Sequence, residues 1–165
     1  MFELKKLAPG STGRALRKVE RYRLLNEPWE AESICRDVLE LDPENQQAIV
    51  ALLLSVTDQF RRDLTRAGEA RSLLGRLDDE YQRLYYAGII AERLGKAHLN
   101  RNAMGAAPIA YGLLREAMEW YDQAGRVRPT DNDDALLRWN TCARLLMRHP
   151  HLQPAPEVAV PTMLE

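Results

Sequence analysis

Apolar residues recur at three- and four-residue steps along nearly the whole chain, with no sustained apolar–polar alternation of the kind a half-buried strand requires. That period predicts an all-α fold, and the polar and proline punctuation divides it into about seven helices. The first is expected over residues 13–26, after the polar starter Ser11-Thr12, and the second from Pro28 to the Leu41-Asp42-Pro43 break. Pro28 suits a first helical turn, where its missing N–H would be unpaired in any case. A third helix, over residues 46–60, contains the run from Ala48 to Val56; it is apolar on all sides and is therefore expected to be the most buried element.

Thr65 is placed to cap a fourth helix ending near Leu77, Asp78-Asp79 breaks the pattern, and a fifth helix is expected over residues 81–95. Asn100, Asn102, Gly105 and Pro108 then interrupt the periodicity before a sixth helix over residues 109–127, which stops at Pro129. Thr130 with Asp133 resembles a capping box and opens a seventh helix that ends before Pro150. Residues 149–165 contain four prolines, cannot continue a helix, and are expected to be an extended tail, disordered unless it docks.

Two segments repeat a spacing. Ala117, Tyr121, Ala124 and Pro129 lie at the same intervals as Ala31, Cys35, Val38 and Pro43. Before the interruption, Leu84, Gly88, Ala91 and Gly95 follow the sequence of a large residue, a small one, a packing residue and a turn glycine. These residues resemble the tetratricopeptide repeat, in which small side chains let two antiparallel helices approach and bulky ones fill the gaps. The second unit departs from the pattern, with Asp79 in the proline position and Leu74 where alanine is usual.

The resemblance implies a short right-handed solenoid over residues 11–148, preceded by an extension over residues 1–10. Its repeats would occupy residues 12–45, 46–80 and 81–130, with an insertion at 96–113 and a capping helix at 132–148. It also implies a non-enzymatic module that holds a peptide or protein on the concave surface made by the first helix of each pair. Transferred position by position, the groove would contain Arg23, Gln47, Asp58, Tyr85, Ile89, Glu92, Arg93, Asn140 and Arg144, with the insertion either forming one wall or extending the helices. The Lys, Asn and Arg set with which some relatives clamp a C-terminal carboxylate is not present.

Composition narrows the rest. A 45% hydrophobic content over 165 residues supports one core, and a net charge of -1 points to neither nucleic acid nor an anionic membrane, so no membrane partner is expected. Charge is uneven, however: residues 1–26 carry seven Lys/Arg against Glu3 and Glu20, and residues 27–60 carry eight Asp/Glu against Arg36, so the two segments are able to neutralise each other. The alternatives to a peptide groove are therefore nucleic-acid or anion binding through Arg14, Arg17, Lys18, Arg21 and Arg23, or self-association through the stack ends or tail. Nucleic acid is disfavoured because these cations spread around the helix beside an acidic neighbour.

Tyr81, Tyr85, Tyr86, Tyr111, Trp120 and Tyr121 concentrate aromatics around the insertion, either as a recognition patch or, for Trp120 and Tyr121, as core. Cys35 and Cys142 sit in apolar patterns and read as buried small hydrophobes; no zinc or disulfide spacing exists, which suits a reducing, cytoplasmic setting. No run approaches the roughly 18 apolar residues of a membrane span. His98, His149 and His151 have no nucleophile at a recognisable spacing, and the acidic run at 130–134 lacks the glycine and terminal Glu of a calcium loop, so neither catalysis, cofactor nor metal is expected.

Overall fold

Local chemistry sets where each helix begins. A computed structural model describes residues 2–101 and 103–155, and among these are seven α-helices, one 3₁₀ turn and no strand. They are α1 (Thr12–Leu24), α2 (Pro28–Leu41), α3 (Gln46–Asp58), α4 (Ala67–Leu74), α5 (Glu80–Arg101), α6 (Ala106–Arg126) and α7 (Asp134–Arg148), with the 3₁₀ turn at Leu64–Arg66. Asn102 and residues 156–165 of the expected tail lie outside the described residues.

Pro28 is the first residue of α2, and Asn45 caps α3 by accepting from the Ala48 N–H at 3.0 Å. Seven of the thirteen residues of α3 are buried, as its all-round hydrophobicity implies. Two caps differ from expectation. Asp63 rather than Thr65 starts the fourth segment: its carboxylate accepts from the Thr65 N–H and hydroxyl at 2.9 and 2.6 Å. At α7 the Thr130–Asp133 box does not form, because Asp133 pairs with Arg128 and the Asn132 side chain accepts the Asp134 N–H at 3.0 Å.

Of the two readings of residues 96–113, extension of the helices holds. These residues are not a loop or wall; they lengthen α5 and α6 into an antiparallel hairpin that turns within a few residues around Gly105, whose φ of 81° is natural to glycine. Pro108 falls in the first turn of α6, where it costs no helical hydrogen bond. Gly95 is accordingly a mid-helix contact and not a turn. A Cβ there would lie 3.2 Å from Leu114 Cγ and 3.3 Å from the Ala110 carbonyl, so its absence permits close approach of the helices.

Each helix packs on its sequence neighbours, and α1–α3 and α3–α5 also touch. The interior divides into a mainly aliphatic cluster under α1–α4, which includes Phe60 and Cys35, and a second under α5–α7 that contains Tyr81, Tyr121 and Cys142. Helix α5 faces both, Ile90, Leu94 and Ala97 on one side and Ile89 and Ala91 on the other. The residues of the repeated spacing are core: Ala31, Cys35, Val38, Ala117 and Ala124 are fully buried and Tyr121 nearly so. Beyond α7 the tail turns back enough for Leu152 to be buried in the second cluster.

Candidate functional site

Helices α1, α3 and α5 each present a line of residues to a common cleft of about 330 Å³. On α1 it is Leu16, Val19, Glu20 and Arg23; on α3, Gln47, Val50, Ala51 and Leu54; on α5, Gln82 and Tyr86. The spacings are those of one helical face, three, four and seven residues apart. The floor is apolar, with Val50, Ala51, Leu54 and Tyr86 half-buried, and the rim is polar. A second opening of about 450 Å³ shares Glu20 and Arg23 and continues past Leu24, Asn26, Pro28 and Asp58.

An ion network closes one end. Asp58 on α3 accepts from Arg23 Nε on α1 at 2.7 Å and from Arg93 Nη1 on α5 at 2.5 Å. Arg93 also donates to the Leu54 carbonyl and to Thr57 Oγ1, at 3.1 and 2.5 Å. The carboxylate thereby ties the three inner helices together. Gln46, at the other end, is committed to structure: it donates to the Arg76 carbonyl at 3.2 Å and accepts the Asp78 N–H at 2.9 Å.

Of the nine residues expected in a groove, Arg23 and Gln47 line this cleft, and Asp58 and Arg93 close it. The others need correction. Ile89 is 1% exposed in the second core cluster and is not available to a partner. Glu92 is fully buried: it accepts from Tyr121 Oη at 2.6 Å and from Lys96, and Arg138 Nη1 lies 3.3 Å away. Burial pushes its carboxyl up, but the Lys96 and Tyr121 hydrogen bonds and the Lys96 and Arg138 charges more than offset this and hold it below its ordinary value.

Tyr85 stands one position from the cleft, stacked against Tyr81 and tilted against Tyr121 at centroid distances of 5.7 and 5.9 Å, while Tyr86 lines it. Gln82, Tyr86 and Arg93 sit at i, i+4 and i+11, a line legible once Gly88 and Ala91 are assigned to the α5–α6 contact. On α7 the residue reaching α5 is Arg138. Asn140 instead borders a depression between α6 and α7 with Asp122, Gly125, Leu136 and Trp139, and Arg144 is exposed.

Burial pushes both the Cys35 and Cys142 thiols up to about 12, so neither is a thiolate near neutrality. Among the described residues no three His, Cys, Asp or Glu side chains are grouped to hold a metal, and no helix is long and apolar enough to cross a membrane. No family model, curated protein or solved structure matches the chain.

Proposed function

We propose that this protein is a non-enzymatic interaction module that holds an extended segment of another protein in the cleft between α1, α3 and α5. The observation that carries the reading is the cleft itself: three alternate helices contribute an apolar floor beneath the amides of Gln47 and Gln82 and the charges of Glu20 and Arg23. An extended peptide needs both parts, a pocket for alternate apolar side chains and donors and acceptors for its backbone. The contacts α1–α3 and α3–α5, and the buried small residues at matching positions of α2 and α6, support a short right-handed stack of tetratricopeptide-like pairs with α7 as its cap. Two buried, unpaired thiols suit a reducing, cytoplasmic compartment.

The test is selection of displayed peptides on the full chain, followed by calorimetry with the peptides obtained. Tyr86→Ala and Gln47→Lys should each weaken binding about tenfold, about 1.4 kcal/mol. Gln47→Lys, exposed on α3, should do so without moving the denaturation midpoint, and Tyr86→Ala is compared at a temperature where it remains folded. Arg115→Glu, exposed on α6, should leave binding unchanged. Peptides that ignore both cleft substitutions would place the contact elsewhere and refute the reading.

A further inference from the structure

The first helix has another face that the cleft does not use. At about 100° per residue, Arg14, Arg17, Lys18 and Arg21 fall within one sector roughly 100° wide, opposite Val19, and all four are exposed. The spread these cations show in the sequence is thus spread around the outer side only. Leu24 and Leu25 fall beside the same sector at the C-terminal end of α1, 89% and 58% exposed.

Among the described residues none of these four cations makes an ion pair, although Arg23, on the inner side, is bound to Asp58. The acids of α2 do not neutralise them: Glu32 is engaged by Arg36 and Arg66 instead. Arg14 and Lys18, and Arg17 and Arg21, are like charges four residues apart and repel. No acidic residue stands in the first turn of α1, and Arg14 there opposes the helix dipole. An external anionic surface would relieve each of these contacts.

We propose that the outer face of α1 docks the protein on an anionic lipid surface. The leucine pair favours lipid over a polynucleotide. A phosphate backbone is met by polar and basic groups, whereas two exposed leucines beside a row of cations gain contact at the boundary of headgroups and acyl chains. The cations supply the attraction, about fivefold in partition for each one near the surface. Glu20 and Arg23 point to the cleft and the four cations lie outside its lining; of the residues used here, Leu24 alone borders the second opening.

Co-sedimentation of the full chain with vesicles tests this, using phosphatidylcholine alone and phosphatidylcholine with about a third phosphatidylserine. Binding to the second only, released as salt rises to about 0.5 M, is expected. Arg17→Ala with Arg21→Ala should lower partition about thirtyfold. Leu24→Ser with Leu25→Ser should weaken it at constant charge. Circular dichroism and the denaturation midpoint check that both remain folded; should the arginine pair fail there, Lys18→Gln carries the test with about a fivefold loss. Absence of binding to the anionic vesicles, or binding insensitive to either pair of substitutions, overturns the proposal. So does retention of a duplex oligonucleotide in the same buffer by a chain that ignores the vesicles, which would assign the face to nucleic acid.

Discussion

Asp58 and Glu92 do the same topological work at different depths. Asp58 joins α1, α3 and α5 with its side chain 24% exposed, and Glu92 joins α5, α6 and α7 at 1%. Around Asp58 the partners are Arg23 and Arg93, and the inner helices leave a cleft. Around Glu92 the ring of Tyr121 fills the equivalent space and its hydroxyl satisfies the carboxylate. The carboxylate that joins the inner helices of the first half therefore stays near solvent, while that of the second is buried in its packing.

Removing the two carboxylates should separate the halves most sharply. Glu92→Ala leaves the Tyr121 hydroxyl and nearby cations without their buried partner and is expected to cost about 3–5 kcal/mol in denaturant unfolding. Asp58→Ala, at a wetter site where Arg93 keeps the Leu54 carbonyl and Thr57, should cost about 1–2 kcal/mol. Equal losses would mean that the two sites do not differ in solvation as their exposure implies.

Next in size is the aromatic packing itself. A Cβ at Gly88 would lie 2.4 Å from Tyr121 Cε1, in a ring 1% exposed and held at its hydroxyl. Gly88→Ala should therefore destabilise by about 1–3 kcal/mol despite alanine's better helix propensity. Gly112→Ala, also inside a helix of this half but with open space at its Cβ, should stabilise by about 0.5–1 kcal/mol. The same overpacking argument gives a loss of about 1–3 kcal/mol for Ala117→Leu, fully buried on α6. Opposite signs for the two glycines in thermal unfolding are the observation to seek.

A pH-dependent effect is expected from the ion network around Glu32 in the first half. Hydrogen bonds from Arg66, and then from Arg36 and Gln59, outweigh burial and hold Glu32 down at about 2, from an ordinary value of 4.5. A carboxyl lowered in the folded state stabilises fully above its unfolded value and loses that contribution as pH falls through the folded one. Stability should decline between about pH 4.5 and 2, by at most about 3 kcal/mol and less after screening. Glu32→Gln should flatten that part of the pH profile measured by urea unfolding, while leaving the part due to Glu92.

How much of this was legible depends on the distance over which each feature is decided. Helical periodicity, the prolines at 28 and 129 and the repeated Ala31 and Ala117 spacings rest on residues within a few turns of one another, and they located seven helices and several core positions. The same local signals misread residues 96–113, because Gly95 and Pro108 look like breakers until a facing helix explains the first and a helix start accommodates the second. Arg23, Gln47 and Asp58 came from groove positions of the repeat transferred onto α1 and α3, and they border the cleft or its closing ion network. On α5 two opposite faces are buried, so no single stripe sets the register, and Tyr86 was displaced to Tyr85 while Glu92 was taken for a surface residue.

The sequence by itself determined the class of fold, the order of its helices and the side chains small enough to let them meet, since backbone hydrogen bonding and helical period are local. Only the tertiary structure decided which charges meet. Asp58 could select Arg23 and Arg93, and Glu92 could be buried with Tyr121, only after helices distant in the chain were packed. Arg14, Arg17, Lys18 and Arg21 were left outward for the same reason: a net charge near zero counts charges, whereas folding decides which of them remain unpaired.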